Sequence, residues 1–177
     1  MADSDSKAVE NMTINEENIV RMLQAGDREE VIRRLGGLLF QHGYVKETYV
    51  QAVLEREKVF PTGLQTNLLG MAIPHTDTEH VIKPALAIAT LAHPVIFQAM
   101  GNPEAEVPVT VVMMLAISDP KAVIPVLRSV LFILEKGETL NALTQATTEI
   151  EIKAVIQNHI QSMASMLSSE TTSDSTH

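Results

Sequence analysis

The chain has 177 residues, a formal net charge of -9 at pH 7, and 45% hydrophobic but only 3% aromatic residues, with no Cys and no Trp. That length suits one cored domain; the absent thiols exclude disulfides, thiolate nucleophiles and sulfur-bound zinc, and the acidic balance argues against a general nucleic-acid binder while suiting a basic protein partner. The longest apolar runs, Ala85 to Ala92 and Val107 to Ile117, fall short of the roughly 18 residues of a membrane span, and MADSDSKAVE lacks the basic and apolar regions of a secretory signal, so a soluble, cytoplasmic chain is expected.

Residues 1 to 14 and 168 to 177 are polar and read as disordered tails around one domain spanning residues 15 to 167. Asn18 to Leu23 reads as a strand. Asp27 to His42 reads as a helix: Asp27 and Glu30 make a capping-box-like start, Val31, Ile32, Leu35, Leu38 and Leu39 recur at helical spacing, and Gly43 closes it. A second helix is expected over Lys46 to Lys58, burying Tyr49, Val50, Val53 and Leu54, until Phe60-Pro61-Thr62-Gly63 breaks it.

Met71 to Ile73, Ala85 to Ala92 and Val109 to Ile117 are short runs rich in branched residues, with a turn expected at Gly101-Asn102-Pro103. The run VTVVMMLAI does not alternate, as befits a strand covered on both faces. Asp119-Pro120 opens a helix that carries Val126, Leu127, Val130, Leu131 and Leu134 and stops at Gly137, with Pro125 demanding either a later start or a kink. Thr148-x-x-Glu151 opens a last helix with Ile152, Val155, Ile156, Ile160 and Met163 on one face. The expected fold is α/β, a mixed β-sheet with helices on both faces.

The stretch GMAIPHTDTEH, Gly70 to His80, concentrates the candidate chemistry. Proline biases Ile73 away from helix and fixes its own φ, so His75 sits at a stiff strand end, where α/β sheets usually meet ligands. A neutral imidazole is a competent nucleophile near pH 7; on spacing alone, a histidine at the rim of a core explains the residue equally well. A metal-dependent hydrolase built on His75, His80 and His93 has weak support, because no pair has the spacing of HExxH. Arg56, in LEREK, reads either as a solvated ion pair or as an anion clamp near His75. There is no phosphate loop, dinucleotide fingerprint or nucleophile elbow.

Three segments together carry a resemblance: VLEREKVFPTGL at Val53 to Leu64, MAIPHTDTEHV at Met71 to Val81, and LAISDPKAVIPVL at Leu115 to Leu127. Over roughly Asn15 to His159 the chain resembles the enzyme IIA domains of the fructose and mannitol class of the bacterial sugar phosphotransferase system, most of all the galactitol type. The resemblance implies a phosphotransferase/anion-transport-like sandwich and a phosphoryl relay. The phosphocarrier protein HPr would phosphorylate the active histidine, which passes the group to a cysteine of enzyme IIB for sugar uptake, with the chain peripheral to the membrane transporter IIC through IIB. No cofactor or metal is implied. His75 matches the phosphorylated histidine and Arg56 the arginine near it. Many members carry a second histidine where this chain has Val123, so either that histidine is dispensable, as in the galactitol type, or His80 acts as an auxiliary, or transfer is slow. A regulatory domain that binds partners according to its phosphorylation is the alternative reading.

Overall fold

The computed structural model describes residues 7–173. In chain order they form β1 (Thr13–Leu23), α1 (Arg28–Gln41), α2 (Tyr49–Val59), β2 (Gly63–Gln65), β3 (Gly70–Ala72), β4 (Ala85–Ala99), β5 (Asn102–Ala116), α3 (Val123–Glu135), α4 (Gly137–Gln145) and α5 (Glu149–Ser173). Two three-residue 3-10 turns, Thr78–His80 and Pro120–Ala122, lead into β4 and α3.

Strands alternate their side chains between faces, and that alternation divides the core in two. Ala85, Ala87, Ala89, Val112, Met114 and Ala116 join Val31, Ile32, Leu35 and Leu39 of α1 and Tyr49, Val53 and Leu54 of α2. Leu86, Ile88, Val111, Met113, Leu115 and Ile117 face the other way, against Val126, Val130 and Ile133 of α3, Leu140 and Leu143 of α4, and Ile152, Ile156, Ile160 and Met163 of α5. Small alanines lie under α1 and α2, larger residues under α3 to α5. The expected mixed sheet with helices on both faces is what the chain adopts.

The sheet order is β1-β4-β2-β3-β5, and β4 also pairs with β5. β1 runs parallel to β4, β3 runs parallel to β5, and β4 with β5 makes a long antiparallel hairpin. Because β2 joins β4 at Ala99 and β3 at Gly63 to Gln65, the pairings β4-β2-β3-β5 close on themselves. Closure demands near backbone-on-backbone approach: a Cβ on Gly70 would lie 2.0 Å from the Pro108 carbonyl oxygen, and one on Gly63 2.5 Å from that of Gln98.

Several elements differ from their expected limits, each for a physical reason. β4 continues past His93-Pro94 because its register with β5 shifts between Thr90 and Val95, an irregularity that accommodates a residue without an N–H. Asp119 caps the Pro120–Ala122 turn through the Lys121 N–H, and α3 starts at Val123, which puts Pro125 in the first turn, where its missing N–H costs no helical bond. α3 ends at Glu135, as expected of a helix stopping by Gly137, but Gly137 also opens a further helix, α4, that is not among those expected from the sequence. The N-terminal tail read over residues 1 to 14 is corrected in its second half: residues 7–10 make a helical turn, and Val9 and Met12 are buried beside Ile14. The C-terminal tail is corrected likewise, since α5 continues through Ser173 with neither Gly nor Pro to stop it. Residues 1–6 and 174–177 lie outside the described residues. Among the described residues no helix is long and apolar enough to cross a membrane.

Candidate active site

β3 ends at Ala72, yet the chain remains sheet-like for three more residues. The Leu115 N–H donates to the Pro74 carbonyl at 3.0 Å, and His75 forms a parallel bridge with Leu115. Proline has no N–H to pair, but its carbonyl still accepts, so the ladder is carried to the residue that follows. Ile73 is fully buried and His75 is 9% exposed, so the imidazole sits at the rim of the core with its base fixed.

The Nδ1–H of His75 donates to the Ile73 carbonyl at 2.8 Å. A carbonyl only accepts, which places the proton on Nδ1 and leaves the lone pair on Nε2. Burial pulls the His75 pKa below the ordinary histidine range; the Ile73 carbonyl opposes that shift, the Arg56 guanidinium adds to it and Asp77 opposes it. The ring is neutral at pH 7, with its Nε2 lone pair free.

His75 lines an open cleft of about 440 Å³ with Arg56, Thr76, Asp77, Thr78, Pro120, Val123 and Ile124. Arg56 comes from the last turn of α2, and its guanidinium lies 5.4 Å from the centre of the Phe60 ring. Its Nη1 donates to Asp77 Oδ1 at 3.2 Å, while its buried Nε has no hydrogen-bond partner. Neighbouring Glu57 points inward and accepts from the Thr62 N–H and hydroxyl, both at 2.9 Å. The cleft thus sets a neutral imidazole beside a guanidinium that is paired with a carboxylate.

The fold therefore brings together His75 and Arg56, and puts Val123 in the same wall. It does not bring His80 there: Nδ1 is 2.8 Å from the Thr48 hydroxyl and Nε2 3.4 Å from Glu79. His93 is exposed on β4, so the three histidines do not form one group. Among the described residues no group of three or more His, Cys, Asp or Glu could hold a metal ion. A helical turn over Thr76 to Thr78, which would aim backbone N–H groups at the site, is also absent; the turn begins at Thr78. Sequence reasoning missed Asp77 as the partner of Arg56, because that contact spans 21 positions and depends on how β3 meets α2. The acid at position 77, two after the histidine, was the available signal.

Comparison with known proteins supplies the class. Residues 12–159 match the family described as phosphoenolpyruvate-dependent sugar phosphotransferase system, EIIA 2. The galactitol-specific EIIA component of Escherichia coli K12 is 29% identical over 117 residues, 66% of this chain and 77% of that protein. The multiphosphoryl transfer protein of Salmonella typhimurium LT2 is 32% identical over 151 residues, 84% of this chain but only 38% of that protein. Among solved structures, the crystal structure of IIA mannitol from E. coli is 28% identical with a TM-score of 0.67, covering 81% of this chain and 99% of that one. The enzyme IIAMTL chain in its complex with phosphorylated enzyme IIBMTL from E. coli is 26% identical with a TM-score of 0.68, covering 83% and 99%. With that family matched over residues 12–159, most of its length, the chain belongs to the EIIA 2 family of the phosphoenolpyruvate-dependent sugar phosphotransferase system.

Proposed function

We propose that the chain carries a phosphoryl group on Nε2 of His75, taking it from HPr and giving it to a cysteine of enzyme IIB during uptake of galactitol or a related polyol, in the cytoplasm. The observation that carries this reading is the Nδ1–H bond to the Ile73 carbonyl, which leaves Nε2 as the nucleophilic atom in a cleft that also holds Arg56. Phosphoryl transfer passes through a loose transition state, so protein groups contribute positioning and charge stabilisation more than covalent work. Arg56 supplies the charge, in the fork geometry that suits two phosphate oxygens. Similarity to the galactitol-specific EIIA component supports the substrate class, and the solved complex of a mannitol relative with its enzyme IIB supports an EIIB partner. Val123, in place of a second histidine, leaves Arg56 as the cation beside His75.

The test is incubation with enzyme I, HPr and phosphoenolpyruvate. The wild-type chain acquires one acid-labile phosphate; His75→Gln folds and acquires none, while His80→Gln and His93→Gln are labelled. Full labelling of His75→Gln overturns the assignment. Subsequent transfer to an enzyme IIB thiol distinguishes a transport carrier from a regulatory domain.

A further inference from the structure

We infer that Asp77 is a resident anion that holds Arg56 ready in the empty site and, once His75 is loaded, repels the phosphoryl group, so that the group leaves more readily for the acceptor. This rests on the carrier reading of His75. The two residues and Arg56 line one cleft, and the Asp77 carboxylate accepts from Arg56 Nη1 at 3.2 Å. The Arg56 side chain is 35% exposed and that of Asp77 72% exposed, so the ion pair does little for stability. Its effect falls instead on the third group in the cleft.

Before loading, a neutral imidazole, a guanidinium and a carboxylate sum to zero charge. The N–P bond of the phosphohistidine donor breaks as the Nε2–P bond of His75 forms; the donor ring keeps the electron pair, and His75 keeps its Nδ1 proton on the Ile73 carbonyl. The cleft then holds a phosphoryl anion and a carboxylate competing for one guanidinium. Arg56 Nη1, which pairs with Asp77 in the empty site, is then shared between the carboxylate and the phosphoryl oxygens. A like charge nearby disfavours the loaded state. Onward transfer relieves that repulsion. A neutral residue at position 77 would free the whole guanidinium and make the phosphohistidine a poorer donor.

The experiment compares wild type, Asp77→Asn and Asp77→Glu. One arm measures the equilibrium between phosphorylated HPr and the chain; the other measures the Kd for inorganic phosphate from the NMR shifts of the His75 ring. Asp77→Asn moves the equilibrium toward the phosphorylated chain by about threefold to tenfold and tightens phosphate binding in the same direction. Asp77→Glu, which keeps the charge, stays within about twofold of wild type in both. An Asp77→Asn equilibrium that is unmoved, or moved toward the donor, in a wild type that labels normally overturns the role of Asp77 alone. A wild type that takes no phosphate from HPr overturns the carrier reading, and this inference with it.

Discussion

The Tyr49 hydroxyl of α2 donates to the Leu115 carbonyl of β5 at 2.8 Å, and the N–H of that same Leu115 holds the Pro74 carbonyl next to His75. Tyr49 is fully buried, and burial pushes its pKa far up, so it remains a donor at any working pH. The pair ties the helix that bears Arg56 to the strand that positions His75. Tyr49→Phe leaves a buried carbonyl short of a donor, at a cost of about 1–3 kcal/mol. Denaturant unfolding will register that loss, and the His75 ring signals will shift with it. An unchanged unfolding midpoint and unchanged ring signals would show that the two elements are held by packing alone.

Glu57 makes stability depend on pH. Burial raises its pKa from the ordinary 4.5 to about 7, with the Thr62 N–H and hydroxyl and then Arg28 opposing the shift. A raised carboxyl pKa contributes stability that is complete below 4.5 and is lost as pH climbs through about 7. His75 works in the opposite sense, since its lowered pKa adds stability as pH rises toward the ordinary histidine value. The two are separated by Glu57→Gln, whose amide oxygen can accept the Thr62 N–H while the hydroxyl turns to accept from the amide. At pH 5 the variant matches wild type; at pH 8 it is the more stable of the two. Parallel melting profiles from pH 5 to 8 would refute the raised pKa.

Gly70 closes the sheet, and Gly37 does nothing comparable. A methyl group on Gly70 meets the Pro108 carbonyl oxygen at 2.0 Å, whereas one on Gly37, inside α1, meets nothing within 4 Å. Gly70→Ala is expected to destabilise by about 3 kcal/mol or more, as backbone must move to admit it. Gly37→Ala is expected to stabilise by about 0.5–1 kcal/mol through helix propensity. Urea unfolding of both variants checks the pair, and similar midpoints would mean that β3 yields easily.

Arg56 is expected to govern rate more than stability. Its half-exposed pair with Asp77 and its position over Phe60 are surface interactions of modest worth. Lys keeps the charge but loses the fork, and Gln loses both. Phosphoryl transfer from HPr should fall about tenfold for Arg56→Lys and about a hundredfold for Arg56→Gln, with thermal midpoints close to wild type. Equal rates, or a Gln variant that unfolds, would mark Arg56 as structural.

Local signals were legible where they were complete. Asp27 caps α1 through the Glu30 N–H at 2.9 Å, and Thr148 caps α5 through the Glu151 N–H at 3.1 Å, because capping needs only residues three apart. β3 (Gly70–Ala72) falls where the branched run Met71 to Ile73 marked a strand, whereas β2 has three residues, too few to show a period, and exists only because β3 and β4 offer edges to it. Gly137 reads as a stop in isolation, but α4 forms there because Leu140 and Leu143 find the core. The site divides in the same way. Pro74 announces a stiff strand end at His75 from three residues alone, whereas the pairing of Arg56 with Asp77 and the inward turn of Glu57 depend on tertiary contacts that no short window contains.

The closed pairing of β4, β2, β3 and β5 leaves β1 as the one strand of the described sheet with a neighbour on a single side. An open strand edge is an invitation to self-association, and β1 is poorly suited to accept one. Its register breaks twice against β4, Met22 adopts a φ of 55°, and Glu16, Glu17 and Arg21 are exposed along it. Irregularity and charge of this kind frustrate the addition of a further strand. The cleft of His75 and Arg56 thus belongs to a chain whose sheet border resists polymerisation.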